Sequence, residues 1–72
     1  MSTLYIDRKG LGCKLENGAL VFYENGERCG TVPTAPLERI VFKSDVSINT
    51  GALAKLAARG IGMLFLSGHA IK

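Results

Sequence analysis

The stretch Leu15-Glu16-Asn17-Gly18-Ala19-Leu20-Val21-Phe22-Tyr23-Glu24-Asn25-Gly26-Glu27 decides the fold class. Both central residues of a type I′ turn need positive φ, which Asn and Gly tolerate, so each Asn-Gly pair marks a tight hairpin. The two pairs stand eight residues apart and enclose the nearly all-apolar run 19–24, which suits a central buried strand. Upstream, Leu11, Cys13 and Leu15 alternate with Gly12, Lys14 and Glu16 in the period-two pattern of a half-buried strand. Downstream, residues 27–32 supply the fourth strand, after an opening one at Thr3-Leu4-Tyr5-Ile6 that ends on the polar turn 7–10. The expected core of the fold is therefore an antiparallel meander.

Pro33 and Pro36 bracket a loop, since neither donates to a sheet ladder. The chain then changes character. Residues 37–43 read as a strand centred on Ile40, Val41 and Phe42, and 46–48 as a short further strand. Thr50 reads as the N-cap of a helix over 51–59, because its hydroxyl can accept from a free N–H of the first turn. Leu53, Leu56 and Ala57 give this helix one apolar stripe, Arg59 opposes its dipole, and Gly60 is placed to end it. The run 61–66 reads as a buried last strand. The fold class is α+β and mostly β: a meander with Asn-Gly hairpins, then a strand-helix-strand unit, in two small packed sheets. Parallel pairing of the strands flanking the helix would call for a right-handed crossover.

A chain of 72 residues makes one domain, and one this short buries only about 60% of its unfolded surface. With 47% apolar residues, it is expected to hold apolar surface for another domain or another copy of itself. The domain is read as 1–68, with 69–72 as the start of a linker or tail. No apolar run reaches the roughly 18 residues of a membrane span, and the N-terminus lacks a signal-peptide pattern, so the expected compartment is the cytoplasm. Cys13 and Cys29 are expected to be small buried residues rather than a disulfide.

Catalytic chemistry has little to stand on. His69 is the single histidine and lies in the tail, where a solvated surface role is expected. The six carboxylates sit at strand ends and turns and do not converge by pattern, whereas a two-metal site needs convergence. No catalytic, cofactor-binding or metal-binding residue is assigned. The net charge of +3 is compatible with a nucleic-acid partner. Arg8 and Lys9 share one turn with Lys14 nearby, and these three are the candidate DNA contacts. Tyr5 and Tyr23 have the chemistry to stack on bases, but in strands they read first as cross-strand packing partners.

The order of elements resembles the N-terminal domain of the CRISPR-associated spacer-acquisition endonuclease family, the integrases that insert foreign DNA fragments into CRISPR arrays. The resemblance covers residues 3 to about 68. It rests on Leu4-Tyr5-Ile6, on the hairpin stretch 15–22, and most specifically on Ile40-Val41-Phe42-Lys43-Ser44-Asp45-Val46-Ser47-Ile48-Asn49-Thr50-Gly51-Ala52-Leu53, followed by Leu56-Ala57-Ala58-Arg59-Gly60-Ile61-Gly62-Met63-Leu64-Phe65-Leu66-Ser67. The family has a valine-serine-isoleucine-serine-threonine run before a helix, then a glycine and a strand ending in serine. Asn49 replaces the second serine and Gly51 a common proline, and both suit a helix start.

The resemblance implies a role in antiviral defence as a dimerisation and DNA-positioning domain of a metal-dependent endonuclease. The family's catalytic site lies in a second, helical domain that this stretch does not include. There glutamate, histidine and aspartate hold a divalent metal, magnesium or manganese, so the resemblance implies no cofactor for these residues. The implied partners are a second copy in a homodimer, double-stranded DNA, and the small partner protein of the spacer-acquisition complex, with no membrane. The competing reading is a stand-alone small β-rich module that binds protein or nucleic acid.

Overall fold

The computed structural model describes residues 2–66. The element order is β1 (Ser2–Ile6), β2 (Gly12–Glu16), β3 (Ala19–Glu24), β4 (Glu27–Pro33), β5 (Leu37–Phe42), β6 (Ser47–Ile48), α1 (Thr50–Ala58) and β7 (Gly62–Phe65). Both hairpins form as the sequence requires. Asn17 and Gly18 have φ of 49° and 76°, and Asn25 and Gly26 have 55° and 80°, so all four take the left-handed conformation of a type I′ turn. Strands β2, β3 and β4 accordingly pair antiparallel.

Two sheets result. The mixed sheet has the order β4-β3-β2-β6, where the two-residue β6 runs parallel to β2 through Gly12↔Ser47 and Cys13↔Ile48. The other sheet is all parallel, in the order β1-β5-β7. The strand-helix-strand unit thus yields parallel neighbours. The opening strand leads into the meander in sequence, but in space it joins β5 in the parallel sheet.

The core lies between the sheets. Ile6, Ile40 and Phe42 enter it from the parallel sheet, and Cys13, Leu20 and Phe22 from the mixed one. Leu11, Ile48, Ala52, Leu56 and Ile61 complete it. Leu20, Ile40 and Leu56 are fully buried, each worth about 1.5–3 kcal/mol of transfer free energy. Val21 and Val41 alternate out of this cluster onto the far faces of their sheets, as the period of two demands, yet both stay buried beneath neighbouring side chains.

Several local expectations are corrected. The N-cap is Asn49, not Thr50: Asn49 keeps an extended backbone, and its Oδ1 accepts from Ala52 N at 2.7 Å. Asn caps at least as well as Thr, so Thr50 becomes the first helical residue. The buried helix positions are Ala52 and Leu56, with Leu53 half-buried and Ala57 exposed. At the other end Gly60 N donates to Ala57 O at 2.9 Å and Ile61 N to Leu56 O at 3.2 Å, the two bonds of a Schellman motif, with Gly60 at φ 82°.

Pro33 belongs to β4 rather than the loop. It is the last residue of an edge strand, where a missing N–H does no harm. Cys13 is buried as expected, but Cys29 is exposed. The pairings Tyr23↔Arg28 and Phe22↔Gly30 leave Cys29 as the extra residue of a bulge. The last strand is also not buried: β7 is an edge, and Leu64, Phe65 and Leu66 are exposed. The suggested linker at 69–72, and His69 with it, lie outside the described residues.

Candidate interaction surface

The parallel sheet has one face on the core and one open. Parallel sheets are usually covered on both faces, and this one is covered on a single face. Tyr5, Val41 and Leu64 stand side by side across β1, β5 and β7 in register. Val41 is buried between its neighbours, whereas Tyr5 is 63% exposed and Leu64 49%. Leu66, bonded through its N–H to Phe42 O at 3.0 Å, extends the row and is also exposed. Phe65 points to the inner side and stacks on Phe42 with ring centroids 4.7 Å apart, but it remains exposed at the sheet edge. This surface was not legible in the sequence, where the run 61–66 reads as core.

The three candidate DNA contacts fall in different surroundings. Arg8 reaches Glu24 at 3.3 Å. Lys14 places its ammonium 5.0 Å from the centre of the Tyr23 ring. Lys9 is exposed in the turn between β1 and β2. Tyr23 and Glu24 are consecutive strand residues and alternate between the two faces of the mixed sheet, so Arg8 and Lys14 are held by residues that face opposite ways.

Tyr23 is the hub of the outer face of the mixed sheet. Its hydroxyl donates to Glu16 Oε2 at 2.7 Å, and Arg28 reaches the other oxygen of Glu16 at 3.5 Å. The hydrogen bond to Glu16 raises the phenol pKa. A groove of about 420 Å³ opens beside Lys14, between Gly12, Tyr23, Ser47 and Asn49, with Cys13 also on its wall. Burial, with a smaller contribution from Cys29, pushes the Cys13 thiol up to about 11. A thiol held protonated at neutral pH is no nucleophile. Among the described residues, no three of His, Cys, Asp and Glu gather to hold a metal ion, so these residues do not fit the divalent metal that the resemblance implies. Nor is any helix among them long and apolar enough to cross a membrane.

One buried polar side chain ties the hairpin to the helix. Thr34 Oγ1 donates to Gly18 O at 2.7 Å and accepts from Arg59 Nη1 at 2.7 Å. Arg59 therefore stretches from the helix C-terminus to the first hairpin turn and the loop before β5, a link between residues far apart in sequence.

Residues 4–70 match the family described as CRISPR associated protein Cas1. The chain belongs to the Cas1 family. It is 41% identical over 68 residues to the CRISPR-associated endonuclease Cas1 1 of Thermodesulfovibrio yellowstonii, covering 94% of this chain and 21% of that protein. The fold is similar to the structure of TM1797, a Cas1 protein from Thermotoga maritima, with a TM-score of 0.73 at 15% identity, over 90% of this chain and 20% of that one. The chain thus spans about a fifth of the length of these Cas1 relatives. The family match sets aside a module unrelated to Cas1.

Proposed function

We propose that this chain is the dimerisation and DNA-positioning domain of a metal-dependent Cas1 endonuclease that acquires CRISPR spacers. The observation that carries the reading is the open face of the parallel sheet. Tyr5, Leu64 and Leu66 expose apolar surface beside the buried Val41, on a sheet type that is normally covered on both sides. A second copy is the commonest way for a short chain to cover such surface. The metal chemistry belongs to the remainder of a full-length Cas1 protein, and the small partner protein of the spacer-acquisition complex is a further partner in this reading. Magnesium or manganese is the ion this reading expects there.

The DNA-positioning half rests on the net charge of +3 and the exposed turn that carries Arg8 and Lys9. Such a surface makes weak, sequence-independent phosphate contacts, with affinity on the order of 10⁻⁴ to 10⁻⁶ M. Titration with duplex DNA tests it. Changing Arg8 and Lys9 together to Ala is expected to weaken binding and to flatten the salt slope by about 0.9 for each phosphate that is no longer neutralised. Lys14→Ala is expected to do less, because Lys14 already rests on the Tyr23 ring. Unchanged binding by the double variant, or no binding even at low salt, would leave the domain with its dimerisation role alone.

A further inference from the structure

The turn between β1 and β2, which carries Arg8 and Lys9, is anchored at both ends. Gly10 N donates to Asp45 O at 2.8 Å, and Ser44 Oγ donates to Asp7 O at 3.0 Å. Gly10 closes the turn at φ 84°, the left-handed conformation that favours glycine. With the backbone held by the loop after β5, Arg8 changes partners only by swinging its side chain. That side chain borders a hollow of about 230 Å³ beside Leu11 and Phe22, which gives it room to turn.

In the absence of DNA, Arg8 already has a partner. Its Nη1 donates to Glu24 Oε1 at 3.3 Å, across 16 residues of sequence, and both side chains are exposed. Glu24 is the last residue of β3, and the Asn25-Gly26 turn sets it opposite Glu27 of β4. Like charges directly opposite each other in a ladder repel. The end of the second hairpin is therefore a spot of negative charge that Arg8 offsets. A carboxylate and a phosphate offer a guanidinium the same charged oxygen acceptors, so they compete for it.

We propose that Glu24 is an internal competitor of DNA phosphate for Arg8, and that it limits how tightly the turn binds DNA. The inference rests on the DNA-positioning role proposed for this turn and names the residue that restrains it. To meet a phosphate, Arg8 leaves Glu24, which then faces Glu27 without an offsetting cation and close to the anionic DNA backbone. The exchange subtracts from the contact that Arg8 makes. Lys9 is adjacent, exposed and of the same charge, and it contributes more than Arg8 does. Exposed ion pairs are weak, so the competitor lowers affinity without abolishing it, and its effect shrinks as salt screens the pair.

Titration of labelled duplex DNA at low salt, in a double-mutant cycle of Glu24→Gln and Arg8→Ala, tests the competition. Glu24→Gln keeps the shape of the side chain and removes its charge. It is expected to tighten binding about two- to fivefold, the range that a weak exposed ion pair supplies. Its salt slope is expected to steepen by up to about 0.9, as Arg8 becomes available to neutralise a phosphate. In the Arg8→Ala background the same substitution is expected to lose most of that gain. Glu38→Gln makes the same change in net charge near the start of β5, at the far end of the parallel sheet from Arg8, and is expected to give little. Lys9→Ala is expected to weaken binding more than Arg8→Ala. DNA binding that Glu24→Gln leaves unchanged overturns the competition and leaves the DNA-positioning role standing. So does a gain from Glu24→Gln that persists without Arg8, or one that Glu38→Gln matches. No binding by wild type or any variant, even at low salt, overturns both.

Discussion

Thr34→Val removes a hydroxyl and keeps the shape, so it isolates the link between hairpin and helix. Thr34 is 3% exposed and the only buried polar side chain among the described residues. Its hydroxyl makes two hydrogen bonds of 2.7 Å, one to Gly18 O and one from the Arg59 guanidinium. A neutral hydrogen bond contributes about 0.5–1.5 kcal/mol net, and one to a charged group about 1.5–3 kcal/mol. Two features lower that sum. Gly18 O keeps its bond from Thr34 N at 3.0 Å, and the exposed Arg59 regains water. The expected loss is therefore about 1–2 kcal/mol. With a urea m-value of about 1 kcal/mol/M for a chain this small, the unfolding midpoint falls by about 1–2 M. Arg59→Ala alone and the double variant close a thermodynamic cycle, in which a direct interaction gives a coupling of about 0.5 kcal/mol or more. A Thr34→Val variant within about 0.3 kcal/mol of wild type, together with strictly additive effects, would refute the link.

Other perturbations probe separate parts of the structure. Cys13 titrates at about 11 when folded against 9.0 for the free thiol. The unfolded chain therefore loses its proton first, and stability present below pH 9 declines as pH rises from about 9 to 11. The slope approaches about 1.4 kcal/mol per pH unit, and Cys13→Ala is expected to abolish that component in urea melts taken across the range. Asn49→Ala removes the helix cap and is expected to cost about 1 kcal/mol. A change of only a few tenths, measured the same way, would show that Ala52 N finds another acceptor.

The parts of the fold visible in the sequence are those set by neighbours in the chain. Asn17-Gly18 and Asn25-Gly26 specify their turns because few other residues accept positive φ twice in succession, and the meander follows. The strand-helix-strand unit was legible from Ile40-Val41-Phe42, the apolar residues of the helix, and Gly60. What stayed hidden depends on distant partners. Nothing in Leu4-Tyr5-Ile6 says that this strand pairs with β5 across the whole meander. Residues 61–66 form a continuous apolar run, which reads the same for a buried central strand as for an edge strand with an open face. The exposure of Cys29 follows from a bulge set by pairing between strands, which leaves no periodic mark. The basic trio shows a similar gap. Arg8 and Lys14 are near in sequence, but each is engaged by a β3 side chain that their own segments do not reveal. No local signal marks the reach from Arg59 to Thr34 either.

Self-association is the central claim, and sedimentation velocity on the 72-residue chain tests it most directly. Run from low to high micromolar concentration, the chain is expected to pass reversibly to a species of twice its 7.7 kDa mass. A single monomeric boundary through the high micromolar range would contradict the account, because the open face of the parallel sheet would then have no second copy to meet.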